Sequence, residues 1–317
     1  EFFEKNQAFL AQEGIWLPSS VKESLPSSLK TDSFGKKIPA LIFHQNQIQP
    51  DSLNSQNQVS SSSSQQLLRK DKEPDIQVMN LSATLGENLV LQNINLTFEK
   101  GKITAIIGEN GAGKTTAMRM FCGLSIPSSG NATVAGFDVY KNTEDIKKNI
   151  GYMSQKFSLY ENLTILENLE FFGGIYGLSN KQIKEKSAEL VEKLGLEKEK
   201  NKLVSELPLG WKQKLAFSVA IFHEPEIVFL DEPTGGVDPV TRRQFWDLIY
   251  EASENGITIF VTTHYMDEAE YCNRVSIMVD GKIEALDTPT NLKKQFGVKN
   301  MDEVFYQLAR GAKRSAD

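Results

Sequence analysis

From residue 74 onward, short runs of β-branched and other apolar residues alternate with stretches whose apolar positions recur at helical spacing. Such runs, bounded by turn-forming residues, predict buried strands, and the helical stretches between them predict crossovers joining parallel strands, hence an α/β domain. The predicted strands cover residues 76–78, 94–98, 103–107, 150–153, 227–230, 257–262 and 275–279. Residues 164–207 differ. They are charged, helical in period and without a strand-like run, which predicts a helical insertion between two strands of the sheet. Within it Lys181, Lys184 and Lys186 are interspersed with Glu185 and Glu189, the pattern of a solvated helix face.

Before residue 74 this pattern is lost. Phe2, Phe3, Phe9, Leu10, Ile15 and Trp16 keep some helical spacing, but Pro18, Pro26 and Pro39 interrupt any long element. Residues 45–66 are dominated by Asn, Gln and Ser, and such a segment buries too little apolar surface to offset its chain entropy. The expectation for residues 1–73 is therefore the tail of an upstream region followed by a disordered linker. Glu1 stands where an initiator Met would, so the chain is expected to begin inside a longer polypeptide. No run approaches the roughly 18–20 consecutive apolar residues that span a bilayer.

Composition narrows the function classes. The 317 residues include 35 Lys and Arg against 41 Asp and Glu, a net charge of -6, and the pI is about 5.4. That balance excludes a basic nucleic-acid scaffold. The two cysteines, Cys122 and Cys272, form no Cys-x-x-Cys pair, so two buried thiols are expected rather than a zinc site or a disulfide framework.

The candidate chemistry starts directly after the 103–107 run. Gly108-Glu109-Asn110-Gly111-Ala112-Gly113-Lys114-Thr115-Thr116 fits the Gly-x-x-x-x-Gly-Lys-Ser/Thr phosphate loop in the required strand, loop, helix order. Its glycines allow backbone conformations that turn successive N–H groups inward, and the following helix adds the positive end of its dipole. Lys114 would reach the β- and γ-phosphates, Thr115 would bind Mg²⁺, and Thr116 would contact an α-phosphate. The second element is the apolar run 227–230 ending in Asp231-Glu232. There Asp231 would hold the magnesium shell at the carboxyl edge of the sheet, and Glu232 could polarise an attacking water. The third is His264, the only one of three histidines to end a predicted central strand, where it could bond a γ-phosphate and hold the water in line.

With these residues in place, the chain from about Pro74 to Phe296 resembles the nucleotide-binding domain of ABC transporters. Tyr152-Met153-Ser154-Gln155 is similar to the family's Q-loop, Gly235-Gly236-Val237-Asp238 to its D-loop, and Thr263-His264 to its switch histidine, with Met266-Asp267-Glu268-Ala269-Glu270 continuing the match. The wording around Glu206 to Leu215 and Asp231 to Pro239 is most similar to the second ATPase domain of tandem subunits in bacterial type-two ABC exporters, the YbhF-like group. Residues 301–308 resemble the short terminal helix of drug-export ATPases.

The resemblance implies a P-loop NTPase fold of ABC type: an α/β domain at 74–297 with a mixed sheet core and a helical subdomain at about 156–225, then a short helix and tail at 298–317. It implies ATP and Mg²⁺ as ligands. Glu232, His264, Lys114 and Gln155 would be catalytic; Thr115, Gln155 and Asp231 would serve the metal. Gly108, Asn110, Gly111, Ala112, Gly113, Lys114, Thr115, Thr116 and Leu85 would bind the nucleotide. Leu207, Gly210 and Asp238 would face the ATP of a second nucleotide-binding domain, on the same polypeptide upstream or on another chain. An integral-membrane export permease would be the other partner, no nucleic acid is expected, and the location would be peripheral, on the cytoplasmic face of the inner membrane.

Two departures from the family pattern carry consequences. Where the family signature reads Leu-Ser-Gly-Gly-Gln, this chain has Leu207-Pro208-Leu209-Gly210-Trp211; Pro208 removes a hydroxyl and an N–H, and Gly210 keeps close backbone approach possible. An asymmetric dimer is the expectation, with this chain's own phosphate site active and the site its signature covers weak or silent. Leu85 stands where the family places an aromatic against adenine, which predicts modest ATP affinity and weak discrimination against GTP. Phe157, Leu159, Tyr160, Phe171, Phe172, Ile175 and Tyr176 would either pack inside the helical insertion or line a groove for a permease helix. The competing readings are a soluble ABC-type ATPase acting on ribosomes or DNA, and a nucleotide-binding protein that hydrolyses nothing.

Overall fold

A strand apolar on both faces has to lie in a sheet covered on both sides, whereas a strand with one polar face can border water. Both kinds occur in the computed structural model, which describes residues 74–156 and 158–314, with side chains through 309. In chain order the elements are β1 (Ile76–Leu85), β2 (Asn88–Phe98), β3 (Ile103–Ile107), α1 (Lys114–Phe121), β4 (Ser129–Val134), β5 (Phe137–Asp138), α2 (Thr143–Asn149), β6 (Ile150–Met153), α3 (Ile165–Ile175), α4 (Asn180–Lys193), α5 (Leu209–Ala220), β7 (Ile227–Asp231), α6 (Pro239–Glu254), β8 (Thr258–Thr263), β9 (Arg274–Val279), β10 (Lys282–Asp287), α7 (Pro289–Phe296) and α8 (Met301–Arg314).

The six-stranded sheet has the order β10-β9-β3-β8-β7-β6, parallel except for the β10 edge, and β3, β7 and β8 are buried at every residue. A second, antiparallel sheet has the order β2-β1-β4-β5. Helix α1 shares one core with both: Met118 and Phe121 pack among Leu81, Leu91 and Phe98 on one side and Ile106, Phe229 and Phe260 on the other. Phe260 is the aromatic hub, its ring 5.1 Å from Phe98, 5.3 Å from Phe229 and 5.9 Å from Phe121. Aromatic pairs of this kind add about 0.5–1.5 kcal/mol each beyond burial. The helix that follows the phosphate loop is thus wedged between two sheets. Cys122 and Cys272 are free, buried thiols, as the sequence predicts.

All seven predicted strands are present, and β4, β5 and β10 join them. The antiparallel strands are also longer than their apolar runs. In β1 the pairing with β2 shifts register between Val78 and Leu81, and Asn80 there has φ 50°. That bulge breaks the period-2 pattern, so a periodicity reading stops at Val78. Strand β4 crosses the same point, because a Cβ on Gly130 would sit 2.3 Å from the Asn80 carbonyl oxygen.

Between β6 and β7, the described residues hold three α-helices, a 3-10 turn at Val204–Glu206 and no strand of either sheet. Helices α3 and α4 each begin with a reciprocal capping box, Thr164 with Glu167 and Ser179 with Gln182. Asn168, fully buried, accepts from the Tyr160 N–H at 2.9 Å and donates to the Tyr160 and Thr164 carbonyls at 3.0 and 2.9 Å. Leu159, Tyr160, Phe171, Phe172 and Ile175 are buried, with the Tyr160 and Phe171 rings edge to face at 4.9 Å. Of the two roles open to these side chains, packing inside the insertion is the one observed; Phe157 lies outside the described residues.

The helical segment meets the sheet at His223. Its ring stacks on Tyr176 at 3.6 Å, and its Nε2 lies 3.1 Å from the Ile150 carbonyl at the start of β6, so the neutral ring donates there. Burial, against that hydrogen bond, pushes its pKa down to about 4. An unfolded histidine titrates near 6.5, so below that pH the unfolded chain binds more protons than the folded one. Stability is complete above about pH 6.5 and falls as the pH drops toward 4, by up to about 3 kcal/mol. Urea midpoints measured from pH 7 to 4.5 should fall less steeply in His223→Phe than in the wild type; parallel curves would show that this ring does not set the acid limit.

Candidate functional site

Three adjacent parallel strands, β3, β8 and β7, end at one edge of the sheet, and each hands its chain to a chemically active segment. The register pairs Ile107 with Thr263 and Thr262 with Asp231. Gly108, His264 and Glu232, each directly after its strand, therefore leave the sheet at the same level.

Close approach explains two glycines of the phosphate loop. A Cβ on Gly108 would lie 2.4 Å from the Met278 carbonyl oxygen of β9. Gly113, at φ 107°, would meet Leu91 at 2.8 Å and the Val90 carbonyl at 3.2 Å. The loop is thus clamped between β9 and β2, and α1 starts immediately after it. Lys114 is buried, and its Nζ donates to the carbonyls of Gly108 at 2.9 Å and Glu109 at 3.1 Å. The same ammonium lies 3.3 Å from Glu232 Oε1.

Glu232 is the meeting point. Besides Lys114, its Oε2 accepts from Gln155 Nε2 at 2.9 Å and lies 3.0 Å from His264 Nδ1. Its backbone is in the left-handed region at φ 47°, unusual for a non-glycine residue, and its N–H donates to the Thr262 carbonyl at 3.0 Å and hydroxyl at 3.2 Å. The turn after β7 is held in that conformation by β8, which aims the Glu232 carboxylate at residues from three other segments. A side chain so placed can take a proton from a water while its second oxygen stays bonded to His264.

Asp231 points to a different set. Its Oδ1 accepts from Thr262 Oγ1 at 2.6 Å and from Thr115 Oγ1 at 3.1 Å. Burial raises its pKa, opposed by those two hydroxyls; the Glu232 charge raises it further and Lys114 lowers it. A bound cation would relieve that burial cost. Thr115 and Asp231 together present hard oxygen donors, the type that suits Mg²⁺, and no cluster of three or more His, Cys, Asp or Glu able to hold a metal exists among the described residues. Mg²⁺ fits such a place when substrate phosphates complete its shell.

Sequence reasoning misses Thr262, though a pair of threonines closing an all-apolar buried strand signals a hydrogen-bonding duty there. Glu268 enters it only within a motif; the residue is fully buried, and nothing in the local pattern tells it apart from the neighbouring acids.

The remaining expected residues lie on other elements. Leu85 closes the β1–β2 hairpin opposite Asn88 and is 56% exposed. Leu207 is buried, and Pro208 caps α5 with no side-chain hydrogen bond. Gly210 has an internal reason to be glycine: a Cβ there would meet Thr241 Cγ2 at 2.4 Å. Asp238 caps α6, its Oδ1 accepting from the N–H groups of Val240 and Thr241 at 3.0 Å and its Oδ2 from the Thr241 hydroxyl at 2.6 Å. Gln213 on α5 donates to the Gly235 carbonyl at 3.1 Å. Helix α5 and the 235–238 loop are thus bonded within the chain.

The chain is similar to known proteins in both sequence and fold. The ABC transporter family model matches residues 91–235. The probable multidrug ABC transporter ATP-binding protein YbhF of Escherichia coli (strain K12) is 44% identical over 241 residues, covering 74% of this chain and 42% of that protein. The chain therefore spans about two fifths of that relative's length. The linearmycin resistance ATP-binding protein LnrL of Bacillus subtilis (strain 168) is 35% identical over 223 residues, 70% of this chain and 72% of that protein. Among solved structures, a dimeric post-hydrolysis state of the ATP-binding cassette MJ0796 with ADP and Pi superposes with a TM-score of 0.61 at 26% identity, over 67% of this chain and 98% of that one.

The contact between Gly210 and Thr241 yields a test. Gly210→Ala should push Thr241 away and loosen its bond to Asp238, lowering stability by about 1–2 kcal/mol, the scale of a lost helix cap plus local overpacking. Thr241→Ser removes the offending methyl and keeps the hydroxyl, so thermal unfolding of the double variant should recover most of that loss. No recovery would mean that Gly210 is required for something other than this contact.

Proposed function

The chain belongs to the ABC transporter family as an ATP-hydrolysing unit, and from that premise we propose that it powers an exporter by closing on a second nucleotide-binding domain and driving a membrane permease. The observation that carries the reading is the convergence of Lys114, Gln155 and His264, from three separate segments, on the Glu232 carboxylate.

In this reading the ATP phosphates lie along residues 108–116. Lys114, now bonded to loop carbonyls and to Glu232, turns to the β- and γ-phosphates. Thr115 and Asp231, with Gln155, would hold Mg²⁺, which offsets phosphate charge when bound. Glu232 takes a proton from the water that attacks the γ-phosphorus, and the bond to the β-phosphate oxygen breaks, releasing ADP and phosphate. His264, with Nδ1 against Glu232, keeps its other ring nitrogen for the γ-phosphate. Gln155 ties the same carboxylate to the start of the helical subdomain, at about 156–225, so a permease helix docked near that loop would sense occupancy. The uncapped start of α5 at Pro208 supports an asymmetric pair, because this signature offers a partner's γ-phosphate fewer donors than one beginning with serine. The names of YbhF and LnrL, one a multidrug and one an antibiotic-resistance ATP-binding protein, support the export direction. The location would be peripheral, on the cytoplasmic face of the inner membrane.

Glu232→Gln should lower turnover in the assembled complex by at least about a hundredfold while leaving ATP binding intact, because it removes the base and keeps the shape. The complex isolated with this variant and Mg-ATP in mild detergent should contain a polytopic membrane protein; recovery of ribosomes or nucleic acid instead would replace the transporter reading with a soluble ATPase. At the base subsite, Leu85→Tyr should tighten ATP binding about three- to tenfold, the scale of one aromatic stacking contact. Unchanged ATP affinity in that variant would place the adenine elsewhere.

A further inference from the structure

Glu268 is fully buried, and hydrolysis as described makes no use of it. It lies on the short 3-10 turn Met266–Tyr271 just past His264. Its Oε1 accepts from the Thr234 hydroxyl and from Trp246 Nε1 at 3.4 Å, with Arg242 Nε 3.7 Å away. Its Oε2 accepts from the Thr263 hydroxyl at 2.6 Å. Thr234 follows Glu232 by two positions, Thr263 immediately precedes His264, and Trp246 and Arg242 belong to α6. One carboxylate therefore joins the segments that carry Glu232 and His264 and fastens both to the helix that Asp238 caps. A buried carboxylate is costly to hold, and well-packed apolar residues often fill such a space with no loss of stability. The cost makes sense where geometry rather than stability is being fixed.

The Thr263 hydroxyl relays that hold. It donates to Glu268 and accepts from the Tyr265 N–H at 3.1 Å. The Tyr265 ring lies 4.2 Å from that of His264, and the Arg242 guanidinium sits over Tyr265 at 4.1 Å. His264 is thus framed by residues that all lead back to Glu268.

We infer that Glu268 is a positioning residue for hydrolysis: its two oxygens fix His264 relative to Glu232 and couple both to the 235–238 loop. The inference rests on the reading of Glu232 and His264 as the pair that handles the attacking water. A glutamine of the same size cannot do this. If its amide oxygen serves Trp246, which can only donate, its NH₂ meets the Thr263 hydroxyl as a second donor, so that hydroxyl must turn to accept from both the NH₂ and the Tyr265 N–H while its own proton loses the acceptor that Glu268 provides. The turn carrying His264 must then shift, and a displacement of about 1 Å at such a centre can cost up to about a hundredfold in rate.

The test measures ATPase kcat and KM in the full chain within its native complex. Glu268→Gln and Thr263→Val should each lower kcat about tenfold or more with KM for ATP within about twofold, and their combination should fall no further than the worse single variant. Thr263→Ser should rescue the Thr263→Val loss, since it restores the hydroxyl. The inference is overturned if Glu268→Gln keeps kcat within about twofold, or if Thr263→Ser falls as far as Thr263→Val; should Glu268→Gln not fold, the Thr263 pair decides alone. Glu232→Gln in the same assay separates the two claims. If it retains turnover, the underlying assignment fails, and if it abolishes turnover while Glu268→Gln and Thr263→Val leave it intact, only the positioning role fails.

Discussion

The parallel register of β3, β8 and β7 is the constraint on which the site depends. Pairing Ile107 with Thr263 and Thr262 with Asp231 brings three chain exits to one level at the edge of the sheet. Because each strand is buried at every residue, none can slip along its neighbour without exposing apolar side chains at one end and burying polar backbone at the other. The wedge of α1 between two sheets locks the same register from outside, through Phe121 and Phe98 against Phe260. Hydrophobic burial thus sets the positions from which hydrogen bonds then choose orientations.

Those hydrogen bonds distribute the two acids to different duties. Asp231 ends its strand in regular conformation, buried, with Thr262 and Thr115 on one oxygen. Glu232, one residue on, leaves the strand through a left-handed backbone that costs about 1–3 kcal/mol, and Thr262 offsets part of it by accepting the Glu232 N–H with both carbonyl and hydroxyl. Adjacent carboxylates that would otherwise repel are turned to separate sets of donors. Strain is placed at the peptide where a reversal of direction turns the two carboxylates apart.

Much of this was legible in the sequence, and the reasons for the rest are physical. The buried strands could be read because a short run that is apolar on both faces must be covered on both sides, and the phosphate loop because its glycines and lysine stand at a fixed spacing. Strands β4, β5 and β10 stayed hidden because they bury few residues, two in β4 and none in β5 or β10, and β1 lost its period at the Asn80 bulge. Gln155 and Glu232 lie 77 positions apart in sequence, and no local pattern brings them within 2.9 Å; the family resemblance named both as catalytic but implied no bond between them. For Glu268 the obstacle was chemical identity: of the acids from Asp267 to Glu270, the one that turns inward is decided by Thr234, Trp246 and Arg242, all distant in sequence.

The glycines show how the same residue type can be asked for by different neighbours. Gly108 and Gly113 are glycine because β9 and β2 press on the loop. Gly210 sits in a segment whose family resemblance points outward to a partner, yet its missing side chain is demanded by Thr241 inside this chain. Since Thr241 also bonds Asp238, and Gln213 bonds Gly235, the start of α5 and the 235–238 loop are tied together at two points. That same loop reaches Glu268 through Thr234. The start of α5 is therefore connected through hydrogen bonds and packed side chains to the segment that carries His264.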